Sequence, residues 1–158
     1  MKKETMAKPK EKLKYDEPHS RTRTFVIGCG KLGASIANDS SRRGLSVVVI
    51  DANPDSFALL EENFSGDRFI VDAANLAALR ARGLGDAKEV IITTGDDNLS
   101  LFLAKACAVL FHIPYVFVRF DDPDMGLLLQ RQSNIRVIYP FQLSRDHLNK
   151  LREEAQGK

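Results

Sequence analysis

A chain of 158 residues that is 44% hydrophobic and 28% charged has the length and composition of one globular domain with short appendages. Its most apolar stretch, 99–118, is broken by Lys105, His112 and Pro114, which excludes a membrane span there. The two cysteines, Cys29 and Cys107, have no metal or CxxC spacing, and residues 1–15 lack the apolar core of a signal peptide, so a reducing, cytoplasmic compartment is expected.

The formal net charge of +2 is unevenly spread: residues 1–23 hold eight Lys/Arg against four Asp/Glu, and the remainder fifteen against seventeen. Residues 1–22 read as a basic flexible tail, either simply solvated or able to touch a membrane surface, a nucleic acid or an acidic partner. No helix-turn-helix accompanies the tail, so nucleic acid is not the expected partner. Residues 23–155 read as a single domain.

The domain opens with the apolar run 24–28, Thr-Phe-Val-Ile-Gly, a buried strand. Residues 31–43 follow as a helix that stops at Arg42-Arg43-Gly44. Ser46-Val-Val-Val-Ile-Asp51 is a second buried strand, β-branched almost throughout. Asn53-Pro54-Asp55 opens a helix over about 55–63. A third strand covers 69–71, and Asn75 caps a helix over 76–82 that Gly83 ends. The fourth strand, 89–94, leads through Gly95-Asp-Asp-Asn98 into a long helix reaching about residue 112. Strands at 115–119 and 135–138 flank a short helix over 121–132, and Pro140 starts a last helix to about 154.

Six strands alternate with helices, are apolar on both faces, and are spaced for crossovers. That pattern specifies α/β architecture: a Rossmann-like, doubly wound, parallel six-stranded sheet of order 3-2-1-4-5-6 with helices on both faces.

Between the first strand and its helix lies Gly28-Cys29-Gly30-Lys31-Leu32-Gly33, a G-x-G-x-x-G in the strand-to-helix context that gives the motif meaning. Gly28 permits the tight turn, Gly30 lets backbone approach a phosphate, and Gly33 lets the helix pack on the strand. The helix N-terminus then offers free N–H groups to a diphosphate. Asp51, with Ala52 after it, ends the second strand. A carboxylate there accepts from ribose hydroxyls and repels a 2′-phosphate, favouring NAD(H), ATP or ADP over NADP. Asp72 and Ala73 after strand three, Thr94, Gly95, Asp96 and Asn98 after strand four, and Arg119 at the end of strand five face the same carboxyl edge. Asp72 and Asp96 read equally well as helix caps. Arg119 and Lys31 are candidate phosphate donors or solvated surface.

No catalytic constellation is visible, and no histidine lies at a strand's carboxyl edge, so catalysis is not expected. Cys29, beside a helix N-terminus, reads as filler, with a redox-sensing thiol of lowered pKa as the alternative. A small NAD-dependent oxidoreductase is the remaining enzyme reading.

The run Phe-Val-Ile-Gly-Cys-Gly-Lys-Leu-Gly-Ala-Ser-Ile-Ala, then Val-Val-Val-Ile-Asp51 with Asn53-Pro54, Val71-Asp72-Ala73, Thr94-Gly-Asp-Asp-Asn98-Leu and Ile138-Tyr-Pro140 together resemble the N-terminal nucleotide-binding domain of Trk/Ktr-type potassium uptake regulators, the RCK_N (TrkA-N, KTN) family. The resemblance covers about residues 22–150. It implies a regulatory ligand such as ATP, ADP, AMP or NAD(H), held by the glycine loop and Asp51, with Lys31 and Arg119 facing phosphates. It further implies a homodimer or octameric ring, with or without a second RCK subunit, on the cytoplasmic face of a membrane potassium channel or transporter. The C-terminal RCK domain of many members is not expected here.

The helix over 99–112 carries two apolar stripes, one of Leu99, Phe102, Leu103, Ala106, Cys107 and Leu110, the other of Leu101, Ala104, Ala108 and Phe111. A helix apolar on two sides needs a second partner. Either an oligomer interface or the last helix, through Phe141, Leu143, Leu148 and Leu151, would supply it.

Overall fold

The computed structural model describes residues 21–157; most of the expected basic tail lies outside the described residues. Six strands, β1 (Arg23–Ile27), β2 (Ser46–Asp51), β3 (Asp67–Ile70), β4 (Ala87–Ile92), β5 (Tyr115–Arg119) and β6 (Ile135–Ile138), form one parallel sheet of order β3-β2-β1-β4-β5-β6. Strand order reverses between β1 and β4, so their carboxyl ends part and leave a crevice outside the sheet.

Alternation along the strands serves both faces. Phe25 and Ile27 of β1, with Val48 and Ile50 of β2, enter the larger core beneath α2 (Leu76–Ala81) and α3 (Asp97–Lys105). Val26, Val47 and Val49 point the other way, onto Ala34 and Ala37 of α1 (Lys31–Arg42). Burial of these β-branched and aromatic side chains on both sides explains the unbroken apolar runs.

Three elements differ from expectation. The helix after Asn53 is only a 3-10 segment, Pro54–Leu59, with Asn53 accepting the Asp55 N–H at 3.0 Å. The segment before β6 is likewise a 3-10 turn, Met125–Leu129, of which only Leu129 is buried; short segments that bury so little gain too little to propagate an α-helix. Helix α3 widens into a π-helical turn, Ala106–Leu110, and ends before His112, whose φ is +52°. That extra residue rotates the apolar stripes: Leu103, Ala104, Cys107, Ala108 and Phe111 are buried, while Phe102, Val109 and Leu110 face outward. Small side chains let the helix sit close on the sheet, which is why the sheet-facing stripe is the alanine-rich one.

The last helix, α4 (Pro140–Gln156), has no buried residue. Phe141, Leu143, Leu148 and Leu151 are exposed, so burial of α3 under α4 is not found, and both helices keep an open apolar face.

Candidate functional site

The Gly28–Gly33 turn is set by contacts that tolerate no side chain at two of its positions. Gly28 has φ +102°, and a β-carbon there would lie 2.9 Å from the Thr93 carbonyl. At Gly33 it would lie 1.9 Å from the Gly28 carbonyl oxygen and 2.6 Å from Thr93 Oγ1. Thr93 Oγ1 donates to that same Gly28 oxygen at 2.9 Å. The loop is thus clamped between α1 and the end of β4.

Gly30 differs. Its φ is −73°, open to any residue, and a β-carbon there would meet no atom within 4 Å. Gly95, after β4, is equally unconstrained. Both line one cleft of about 470 Å³ at the carboxyl ends of β1, β2 and β4. Two glycines that neither backbone angle nor packing requires, facing one cavity, leave room where the backbone of the loop and of the β4 end can approach a guest.

Asp51 stands at the opposite lip. Its Oδ2 accepts the Cys29 backbone N–H at 2.7 Å, and its Oδ1 accepts the Asn53 N–H at 2.8 Å. A carboxylate has about four lone-pair sites, so each oxygen keeps one for a further donor. Asp96, expected either as a cleft residue or as a cap, is both, whereas Asp72 lines the cleft but caps no helix, the cap of α2 being Asn75. Asp72 accepts the Ala74 N–H at 2.9 Å. Asp96 caps α3 through the Asn98 and Leu99 N–H groups at 2.9 and 3.2 Å. Both line the cleft.

Ten of the expected residues line it: Gly28, Gly30, Asp51, Ala52, Asp72, Ala73, Thr94, Gly95, Asp96 and Arg119. Five do not. Gly33 is buried in the helix–strand contact and Leu32 is half-buried on α1. Asn98 is exposed beyond the α3 cap. Lys31, expected either at a phosphate or as solvated surface, is exposed on an outer groove of α1 with Asn38, Arg42 and Glu61. It shares one helix face with Ser35, Asn38 and Arg42, at spacings of four, three and four, and that face borders the outer groove.

Cys29 turns the other way, fully buried among Val26, Ala37 and Val49. Burial first, then the Asp51 charge, pushes its thiol up to about 11 despite the opposing pull of Arg68. The lowering that the redox-sensing alternative requires is not found, because the side chain sits in apolar surroundings; the burial fits the expected filler role.

Sequence reasoning missed Ile27, Ile50, Ser56, Thr93 and Leu99 in the lining. Ile27 and Ile50 are the last apolar residues of β1 and β2, a position that in itself signals the crevice floor. Thr93 is adjacent to the expected Thr94, and Ser56 comes from the 3-10 segment that sequence drew as a longer helix.

The sheet order, the clamped glycine turn at the switch point and the acidic end of β2 place the chain in the class of Rossmann-like nucleotide-binding domains. The chain belongs to the TrkA-N domain family, which matches residues 24–140. The Trk system potassium uptake protein TrkA of Streptomyces coelicolor is 29% identical over 106 residues, which cover 67% of this chain and 48% of that protein. The chain thus spans about half the length of the curated relatives it matches. Among solved structures, the TrkA-N domain of the inner membrane protein ybaL from Escherichia coli superposes with a TM-score of 0.72 at 16% identity, covering 82% of this chain and 96% of that one. The GsuK channel bound to NAD gives 0.69 at 25% identity, covering 85% of this chain and 24% of that one.

Proposed function

We propose that this domain binds an adenine nucleotide in the cleft as a regulatory ligand and transmits its presence to a membrane potassium channel or transporter, without catalysing a reaction on it. The observation that carries the reading is the pair Gly30 and Gly95, open to the same cavity with no structural need to be glycine. A diphosphate lies against the loop amides, and Asp51 accepts the ribose hydroxyls with its remaining lone pairs. Its charge disfavours the 2′-phosphate of NADP. Solved neighbours carry NAD, ADP and AMP, which supports the adenine nucleotide class. ATP, ADP, AMP and NAD(H) all remain candidates.

Regulation follows from differential affinity. A ligand that binds one conformation of an assembly more tightly shifts the population towards it, by no more than that difference in binding free energy. Potassium transport as the regulated process rests on the TrkA relatives and on the GsuK channel. The membrane partner holds the domain at the cytoplasmic face. Among the described residues no helix is long and apolar enough to cross a membrane. A dimer or larger ring, homomeric or with a second RCK subunit, covers the outward faces of α3 and α4.

The reading is tested by calorimetry with ATP, ADP, AMP, NADH and NADPH on the wild type and Gly30→Val. The expected result is binding of at least one of the first four in preference to NADPH, abolished in Gly30→Val, whose side chain fills the phosphate position. Equal binding by the two proteins, or none by the wild type, rejects the site.

A further inference from the structure

We propose that Phe141 and Asp121 are positioning residues for the Arg119 guanidinium, so that the root of α4 is a working part of the nucleotide site. This rests on the nucleotide reading of the cleft and goes on to say what regulates it. Arg119 ends β5 and is the one cationic side chain lining the cleft among the described residues. A long arginine left to itself spreads over many rotamers, and ordering it on a ligand costs entropy.

Two contacts do that ordering in advance. Nε and Nη2 both donate to Asp121 Oδ1, at 3.1 and 2.9 Å. The guanidinium carbon lies 5.6 Å from the centre of the Phe141 ring, within range of a cation–π contact. One edge and one face of the guanidinium are thereby taken, and the Nη1 amine stays unengaged among the described residues as a donor to an anion.

The two supports belong to different parts of the fold. Asp121 sits on a loop tied to the start of α3: its own N–H donates to Asp97 Oδ1 at 3.0 Å, and the Asp122 N–H donates to Asp97 Oδ2 at 2.9 Å. Phe141 is in the first turn of α4 and 64% exposed, so core packing does not account for it. The root of α4 is otherwise held by the Tyr139 hydroxyl, which donates to the Pro123 carbonyl at 3.0 Å. Whatever swings α4 therefore draws Phe141 off Arg119 and loosens the grip on an anion. By thermodynamic reciprocity, an anion held by Arg119 favours the docked root.

The test compares ADP with adenosine, the latter titrated as a competitor of ADP, on wild type, Phe141→Ala and Phe141→Tyr. A lost, partly exposed cation–π contact weakens ADP about two- to fivefold in Phe141→Ala. Phe141→Tyr, which keeps the ring, retains wild-type affinity, and adenosine, lacking the phosphates, binds all three alike. Hydrogen exchange on the wild type gives a second readout, with ADP slowing exchange of the amides at 141–145. Loss of ADP and adenosine binding in equal measure, an unchanged ADP affinity in Phe141→Ala, or exchange at 141–145 indifferent to ADP overturns the proposal. A wild type that binds no nucleotide overturns instead the reading beneath it.

Discussion

Asp51 and Cys29 are joined across the mouth of the cleft: the carboxylate Oδ2 takes the Cys29 backbone N–H at 2.7 Å while Oδ1 takes that of Asn53 at 2.8 Å. The acid to which we assign the ribose thus also fixes the glycine turn to which we assign the phosphates. One residue sets the distance between both halves of the site.

Replacing Asp51 therefore has two consequences of different size. Asp51→Ala removes two charge-assisted hydrogen bonds to backbone and lowers stability by about 1–3 kcal/mol. It also removes the ribose acceptor, and nucleotide affinity drops about tenfold or more. Because the repelling charge is gone, the gap between NADH and NADPH narrows. Urea denaturation measures the first effect and calorimetry the others. An Asp51→Ala protein that keeps full preference for NADH over NADPH contradicts the assigned role.

The glycines of the turn separate folding from binding. A β-carbon at Gly33 would sit 1.9 Å from a backbone oxygen, so Gly33→Ala forces α1 away from β1 and costs about 3 kcal/mol, the upper range of overpacking. Gly30→Ala meets nothing and has an ordinary φ of −73°, so its stability stays within about 0.5 kcal/mol of wild type. Its nucleotide affinity nevertheless falls, since the methyl group occupies the space between loop and phosphate. Parallel melts and titrations of the two variants check this, and a Gly30→Ala protein with wild-type affinity would falsify the phosphate position.

Much of this was legible in the residue order. The bounds of β2 are set by an unbroken β-branched run between polar breaks, buried on both faces, which has few other places to go; those of β5 and β6 are set by shorter β-branched and aromatic runs beside Pro114 and Pro140. The glycine spacing and the acidic end of β2 located the crevice for the same reason, since both are fixed by local backbone chemistry. What stayed hidden depends on direction and on fit. Sequence places Lys31 in the loop, yet only the angle at which α1 leaves that loop decides that it faces an outer groove. The π-helical turn at Ala106–Leu110 leaves no mark in the apolar spacing, and by adding one residue it rotates Leu110 outward and Phe111 inward. The contact of Arg119 with Phe141 joins elements 22 positions apart, beyond the reach of any periodicity.

The cysteines give a pH prediction with a definite sign. Burial pushes Cys107 up to about 12 and Cys29 to about 11, from an ordinary value of 9.0. Both folded pKa values lie above the unfolded one, so the neutral thiols contribute stability that is complete below about pH 9 and is lost as pH rises through 11 to 12. Over that window the folded protein loses stability faster than a Cys29→Ser, Cys107→Ala variant does. At pH 7.5 both thiols resist a disulfide reagent until the protein is unfolded, because thiolate and access are both wanting. Rapid labelling of the native protein at neutral pH would count against the burial of Cys29.

The outward face of α3 bears on assembly. Phe102, Val109 and Leu110 are each about half exposed (46%, 55% and 52%), although they share a helix whose other side is packed into the core. Single exposed apolar residues are common, but three on one helix face, with the apolar side chains of α4 also uncovered, make a surface that water penalises and a second copy relieves. Val109→Asp places a charge in the middle of that face without disturbing the core, since the side chain is more exposed than buried. The wild type is expected to sediment as a dimer or larger at micromolar concentration and Val109→Asp as a monomer that keeps native circular dichroism, its melting temperature lowered only by what association contributes. Loss of the native circular dichroism in Val109→Asp would mean the face is covered within one chain. A wild type that is monomeric throughout would mean that copies meet through neither α3 nor α4, and assembly of this chain with itself would then be overturned.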